Sequence, residues 1–175
     1  RMKRGNEQVH HYSVTSTHAE YTVVPESGAV PIPRELPFDR ACIIGCGVMT
    51  GVGAAVRKAK IEAGANVVVI GCGAVGLNVL QGARLADAGT IIAVDVGGTK
   101  LDRALHFGAR LYSDVRVEKI LRHGKLATGV VGHVVGEDGK PRHRITVRAK
   151  LVVSACGAIH TPALLDRSGF GSPSG

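Results

Sequence analysis

Tryptophan is absent from this chain and aromatic residues make up only 3% of it. Single-stranded nucleic acid is held by stacking its bases on aromatic rings, so this scarcity argues against that ligand class. Disulfide frameworks and zinc knuckles find no support either. The four cysteines, Cys42, Cys46, Cys72 and Cys156, show no C-x-x-C spacing and sit among apolar or glycine residues. A reducing cytoplasm is the default compartment for such thiols. No signal peptide is visible, and long unbroken apolar runs are missing. The longest, around Val67 to Leu80, is interrupted by Gly71, Gly73 and Gly76, too short and too broken for a membrane span. The chain opens on Arg1 rather than Met, and its natural N-terminus is expected upstream.

What is present points to an α/β protein. Hydrophobic residues make up 45% of the 175 positions and glycine occurs 24 times, a composition for tight turns against a small-residue sheet. That length builds one domain or two small units. The net charge of +8 is spread along the chain. Its densest patch, Lys140, Arg142, His143, Arg144, Arg148 and Lys150, reads as one solvated hairpin, and no nucleic-acid partner is expected.

Three segments follow from the pattern. Residues 1–37 give an N-terminal strand and a connector. Arg1 to Ser16 is polar without periodicity, Ala19 to Pro25 alternates like a strand, and Ala29 to Pro37 carries three prolines. Residues 38–109 form a dinucleotide-binding βαβ unit. Asp39 is its first helix cap, and Ala41 to Lys60 is helix-prone but interrupted by glycines, which predicts two helices meeting there. Asn66 to Ile70 is a β-branched run, followed at once by Gly71-Cys72-Gly73-Ala74-Val75-Gly76. A helix to about Ala88 stops at Gly89, a second strand covers Thr90 to Val94, and a helix from Lys100 to Phe107 closes at Gly108. Residues 110–175 change texture. Strands are expected over Arg110 to Leu121, Ala127 to Val135, His143 to Val147 and Lys150 to Ala155, with a hairpin turn at Gly136-Glu137-Asp138-Gly139. Pro162 suits the first turn of a helix beginning near Thr161, and Gly169 to Gly175 reads as a loose end.

The glycine motif carries the chemistry because its context is complete: strand, turn, helix, second strand, and Asp95 nineteen positions past Gly76. Gly71 would permit the tight turn. Gly73 would let a pyrophosphate approach the backbone, and Gly76 would let helix and strand pack closely. The helix start offers unpaired N–H groups and a positive dipole end. Asp95 would accept hydrogen bonds from a ribose diol and repel a 2′-phosphate, favouring NAD or FAD over NADP. A structural βαβ unit with no ligand is the alternative.

From about His18 to Ala109 the chain resembles the coenzyme half of zinc-dependent medium-chain alcohol dehydrogenases, of the glutathione- or mycothiol-linked formaldehyde dehydrogenase type. The resemblance rests on AEYTVVPESGAVPIP, DRACIIGCGVMTGVGAAV, ANVVVIGCGAVGLNVLQGARLADA and IIAVDVGGTKLDRALHFGA. It implies NAD, held by Gly71, Gly73, Gly76, Asp95 and Lys100, with Thr50 near the nicotinamide and Cys46 as one ligand of a catalytic zinc. The other zinc ligands of that family, its Gly-His-Glu segment and its four-cysteine lobe have no counterpart in these 175 residues. Zinc needs three protein ligands and one open position to acidify an alcohol, so a small thiol packed as a hydrophobe is the competing reading of Cys46.

From about Ala109 to Gly175 the resemblance switches to flavin-dependent glucose-methanol-choline oxidoreductases, nearest the long-chain alcohol oxidase branch. RLYSDVRVEKILRHGKLATGVVG and RITVRAKLVVSACGAIHTPALLDRSGFG carry it. By that likeness Val117 would flank the adenine of FAD and Ala155 to Gly157 would lie near the cofactor, with His160 structural. The joint falls at Phe107-Gly108-Ala109-Arg110. Both layouts then imply one Rossmann-like parallel sheet, strand order about 3-2-1-4, with a β-meander inserted before the last strand. The expected function is an oxidoreductase, as fragment or fusion, acting on alcohol or aldehyde CH–OH groups with NAD. An FAD-binding portion of an alcohol oxidase and a non-catalytic nucleotide-binding fragment stay open, as do a fused or truncated reading frame and a homo-oligomer.

Overall fold

The computed structural model of the protein describes residues 2–10 and 17–171, in two units, Arg1–Ala41 and Cys42–Gly175. The readings placed on 11–16 and 172–175 lie outside the described residues. In the first unit, β1 (Met2–Arg4) and β2 (Glu7–Val9) pair antiparallel, Lys3 opposite Gln8, and Gly5 in the turn has φ 63°. Three-residue polar strands leave no periodicity to read, and the sequence predicts nothing there. The strand expected over Ala19 to Pro25 does not form. Tyr21 and Val23 are each 91% exposed, and no strand among the described residues pairs with theirs. Alternation specifies a strand only when one face can be buried against a sheet. A 3₁₀ turn, Glu26–Gly28, and α1 (Phe38–Ala41) complete this unit.

The second unit begins with α2 (Met49–Gly53), which is flanked by π-type turns at Ile44–Val48 and Ala54–Lys58. It continues through β3 (Asn66–Ile70), α3 (Ala74–Leu85), β4 (Thr90–Val94), α4 (Gly98–His106) and β5 (Arg110–Tyr112). Then come β6 (Val115–His123), β7 (Leu126–Val135), β8 (Pro141–Arg148), β9 (Leu151–Ser154) and α5 (Gly157–Arg167). The two helices expected to meet at the glycines near residue 50 are one helical stretch instead. Bonds from Val48 N–H to Ile43 and from Ala59 N–H to Ala54 each span five residues. Gly51 serves close approach there: a Cβ on it would lie 2.4 Å from Asn78 Cβ of α3. By length and composition the helical stretch Phe38–Lys58 could cross a membrane, a feature the sequence reading did not single out. Within that stretch α2 packs on α3, where Gly51 meets Val75 and Asn78.

The order of the four-stranded sheet is β5-β4-β3-β9 and every pair is parallel, with Val68 opposite both Ile92 and Val152. Numbered by their place in the chain, these strands read 3-2-1-4, as the sequence implies. Both faces of β3 are covered, because Val67 and Val69 pack towards α3 with Val79, Leu80 and Ala83. Val68 and Ile70 pack the other way, with Val94, Val115, Ile120, Val130 and Leu164. That second layer is the antiparallel meander β6-β7-β8 together with α5. The single strand expected over Arg110 to Leu121 is broken in two by Asp114, a left-handed residue at φ 56°. The backbone can thereby leave the parallel sheet at β5 and enter the meander at β6. The turn at Gly136 to Gly139 is closed by the Gly139 N–H bonding to the Gly136 carbonyl at 2.8 Å.

The last helix starts at Gly157, four residues before the expected Thr161, and holds Pro162 inside it. Thr161 Oγ1 accepts the Cys156 N–H at 3.2 Å, so this threonine closes the first turn from within. Past the helix, Phe170 N–H bonds to the Leu165 carbonyl at 2.9 Å and Phe170 packs on the second core, so Gly169 and Phe170 are held rather than loose. Ser168, 7% exposed, ties this end to the meander: Oγ accepts the Ile120 N–H at 2.8 Å and donates to the Leu164 carbonyl at 2.6 Å. Ser168→Ala orphans the Ile120 N–H inside the protein, and a loss of about 1–3 kcal/mol in urea unfolding is expected. An unchanged midpoint would mean that water reaches that amide.

Candidate functional site

The strand order reverses between β3 and β9, and at such a switch point two turns diverge and leave a crevice beyond the strand ends. One turn is Gly71–Gly73, leading into α3. The other is Ala155–Cys156, leading into α5. Ala155 N–H bonds to the Ile70 carbonyl at 2.7 Å, and Gly71 N–H to the Val94 carbonyl at 2.8 Å, so both turns are tied to the sheet. Between them opens a cleft of about 1330 Å³, larger than the roughly 300–1,000 Å³ usual for a drug-sized ligand.

The three motif glycines meet three different constraints. Gly71 has φ 91°, and a Cβ on it would lie 2.5 Å from the Ala155 carbonyl oxygen. Gly76 lies beneath the turn, where a Cβ would come within 1.8 Å of the Gly71 oxygen. Gly73, by contrast, is exposed, and a Cβ there would meet nothing within 4 Å. It precedes α3 in an extended conformation with no side-chain cap, so the first N–H groups of a twelve-residue helix open on the cleft.

Asp95 follows β4 and is 8% exposed. Its Oδ2 accepts the Cys72 N–H at 2.7 Å and its Oδ1 the Gly97 N–H at 2.9 Å. Each oxygen keeps a further lone pair for a ligand hydroxyl. Beside it, burial first and the Asp95 charge second push the Cys72 thiol up to about 12. Because thiolate is the reactive form, iodoacetamide at pH 8 is expected to label exposed Cys46 and to leave Cys72 unmodified in the folded chain. Labelling of both at similar rates, read by mass spectrometry, would contradict that burial.

Of the residues singled out by sequence, Gly71, Gly73, Asp95, Lys100 and Val117 line this one cleft, with Gly76 packed under its floor. Ala155, Cys156, Gly157 and the exposed His160 line it from the other turn. Cys46 and Thr50 are exposed on the helical stretch before β3 and are not among the lining residues. Among the described residues no group of three His, Cys, Asp or Glu side chains stands together to hold a metal. The described residues therefore do not fit a catalytic zinc.

Sequence reading missed the basic wall: Arg116, Lys119, Arg144 and Arg167 also line the cleft. From the sequence Arg144 reads as part of a solvated hairpin, whereas the fold turns it to the cleft. In a regular strand residues 116 and 117 face opposite ways, but β6 shifts register between Val117 and Lys119, and a bulge of that kind re-aims neighbouring side chains. Nothing local in VRVEK announces it. The cations oppose Asp95 and Glu118, leaving the cleft a positive excess suited to phosphates.

Comparison with known proteins gives two likenesses. S-(hydroxymethyl)glutathione dehydrogenase of Paracoccus denitrificans is 51% identical over 100 residues, 57% of this chain and 27% of that protein. Alcohol dehydrogenase class-3 of Cereibacter sphaeroides is 48% identical over 98 residues, 56% and 26% of the two chains. Among solved structures, benzyl alcohol dehydrogenase from Acinetobacter calcoaceticus superposes with a TM-score of 0.54 at 33% identity, over 57% of this chain and 27% of that one. The chain thus spans about a quarter of the length of these relatives. The second likeness is to the family described as GMC oxidoreductase, whose model matches residues 81–175. That match takes in β4, α4, the meander, β9 and α5, more than half of the sequence, and on it the chain belongs to the GMC oxidoreductase family.

Proposed function

We propose that this chain is the dinucleotide-binding portion of an oxidoreductase acting on CH–OH groups of small alcohols or aldehydes, with NAD held between Gly71 and Asp95. One observation carries the reading. The exposed, uncapped Gly73 opens the start of α3 onto a cleft that the Asp95 carboxylate also lines. A pyrophosphate at Gly73 would meet unpaired N–H groups and the positive end of the helix. The ribose diol would reach the remaining lone pairs of Asp95, with Lys100 alongside. When bound, the nicotinamide would accept a hydride from the substrate carbon. Thr50 has the dehydrogenase likeness alone as support, and zinc at Cys46 forms no part of the reading. A soluble, cytoplasmic protein is the setting that goes with it.

FAD is the second reading, favoured by the meander. Val115, Arg116 and Val117 line the same cleft, in the portion of the chain that matches GMC oxidoreductase. Val117 would then lie against an adenine. Calorimetric titration of the purified chain with NAD and with FAD separates the two. Saturable NAD binding by a colourless protein is the expected result, whereas a yellow protein with flavin absorbance selects the second reading. Binding of neither coenzyme sinks both.

A further inference from the structure

We infer that Asp95 is a positioning residue for the pyrophosphate, acting through the turn that precedes α3 as well as on a ribose. The inference rests on the dinucleotide reading of the cleft and assigns its acidic residue a second task. The turn Gly71-Cys72-Gly73 is tied to the sheet at its first amide, Gly71 N–H to the Val94 carbonyl, and its next amide needs a partner of its own. Gly71 and Gly73 have no side chains, and the Cys72 side chain packs into the core between sheet and α3. Gly71 stands at φ 91°, a conformation glycine adopts freely, so its own torsions do little to fix the direction of the next amide. Asp95 supplies the partner. Its Oδ2 takes the Cys72 N–H at 2.7 Å in a buried position, across 23 residues of sequence.

The other carboxylate oxygen takes the Gly97 N–H, the last amide before α4, which carries Lys100. One buried carboxylate therefore joins the turn after β3 to the turn after β4. The backbone of Asp95 is itself anchored, its carbonyl accepting the Val115 N–H at 3.3 Å. Asparagine in its place has the same shape but one acceptor oxygen, and its amide group would face one of the two N–H donors. The phosphate turn or the Gly97 turn would then lose its partner.

The test separates this role from ribose binding by using nucleotides that lack the diol. Calorimetry measures ADP, 2′,3′-dideoxy-ADP and 2′,3′-dideoxyadenosine against the wild-type chain, Asp95→Asn and Asp95→Ala. The expected result is a loss of about tenfold for dideoxy-ADP in at least one of the two variants, the size of one charge-assisted hydrogen bond removed, with dideoxyadenosine unaffected. Unchanged dideoxy-ADP affinity in both Asp95→Asn and Asp95→Ala, the second of which removes both acceptor oxygens, assigns Asp95 to the ribose alone and overturns the inference. So does an equal loss for dideoxyadenosine, which reports general loosening. Amide exchange followed by NMR in the wild-type chain needs no variant: slow exchange at the Cys72 N–H is expected, and fast exchange there overturns the inference even if Asp95→Asn does not fold. A wild-type chain that binds no ADP removes the dinucleotide reading itself, a result unlike any of the others.

Discussion

Gly76→Ala is expected to lower the melting temperature by about 5 °C or more, although it replaces a glycine in the first turn of α3 with the best helix former. Alanine in a helix interior gains about 1 kcal/mol over glycine from backbone entropy. Against that stands a Cβ placed 1.8 Å from the Gly71 carbonyl oxygen and 2.9 Å from its carbon. Those atoms belong to backbone that has no easy retreat, since Gly71 is bonded to Val94 and lies against Ala155 on its other side. Overpacking typically costs about 1–3 kcal/mol and more where backbone must move, so the clash outweighs the propensity gain by about 2 kcal/mol. The same displacement pushes on the phosphate turn, and NAD affinity is expected to fall with stability. Thermal unfolding of the two chains measures the first effect and titration the second. A variant as stable as the wild type would show that α3 can lift from β3 at little cost.

Much of this architecture is legible in the sequence because the deciding signals are local. After the exposed Asn66 the run VVVI has no polar position to leave outside, and it becomes a strand buried on both faces. The glycine spacing and Asp95 mark a turn, a close contact and a strand end, which the structure brings to one cleft. What the sequence does not reveal depends on distant partners or on small irregularities. Alternation over Ala19 to Pro25 reads as a strand, yet no described strand pairs with it. Asp114 splits one apparent strand through a single left-handed residue. Ser168 looks like any residue near a helix end, and only the arrival of Ile120 of β6 makes it a buried link. Arg116 and Lys119 carry no marker of cleft position, and the register of β6 shifts between Val117 and Lys119, where strict alternation fails. The double engagement of Asp95 is hidden similarly: the residue type is read correctly, while its hold on Cys72 and Gly97 appears only in the folded chain.

Gly73→Asp separates fold from function in the opposite sense to Gly76→Ala. Gly73 is the residue before α3, at φ −74° and ψ −169°, a conformation open to any L-residue and typical of a helix cap. It has no side-chain cap now, and a Cβ there meets nothing within 4 Å. An aspartate can cap the first N–H groups and place its charge at the positive end of the helix, worth about 0.5 kcal/mol over glycine. Stability should therefore hold or rise slightly. Binding should collapse, since the same carboxylate occupies the position proposed for the pyrophosphate and repels it. Juxtaposed like charges cost several kcal/mol, so NAD affinity is expected to fall by about 100-fold or more. Gly73→Ala adds bulk without charge and should cost about tenfold, which grades the effect by chemistry rather than by damage. If Gly73→Asp binds NAD as tightly as the wild-type chain, the coenzyme does not lie against the start of α3, however well the cleft is shaped for it.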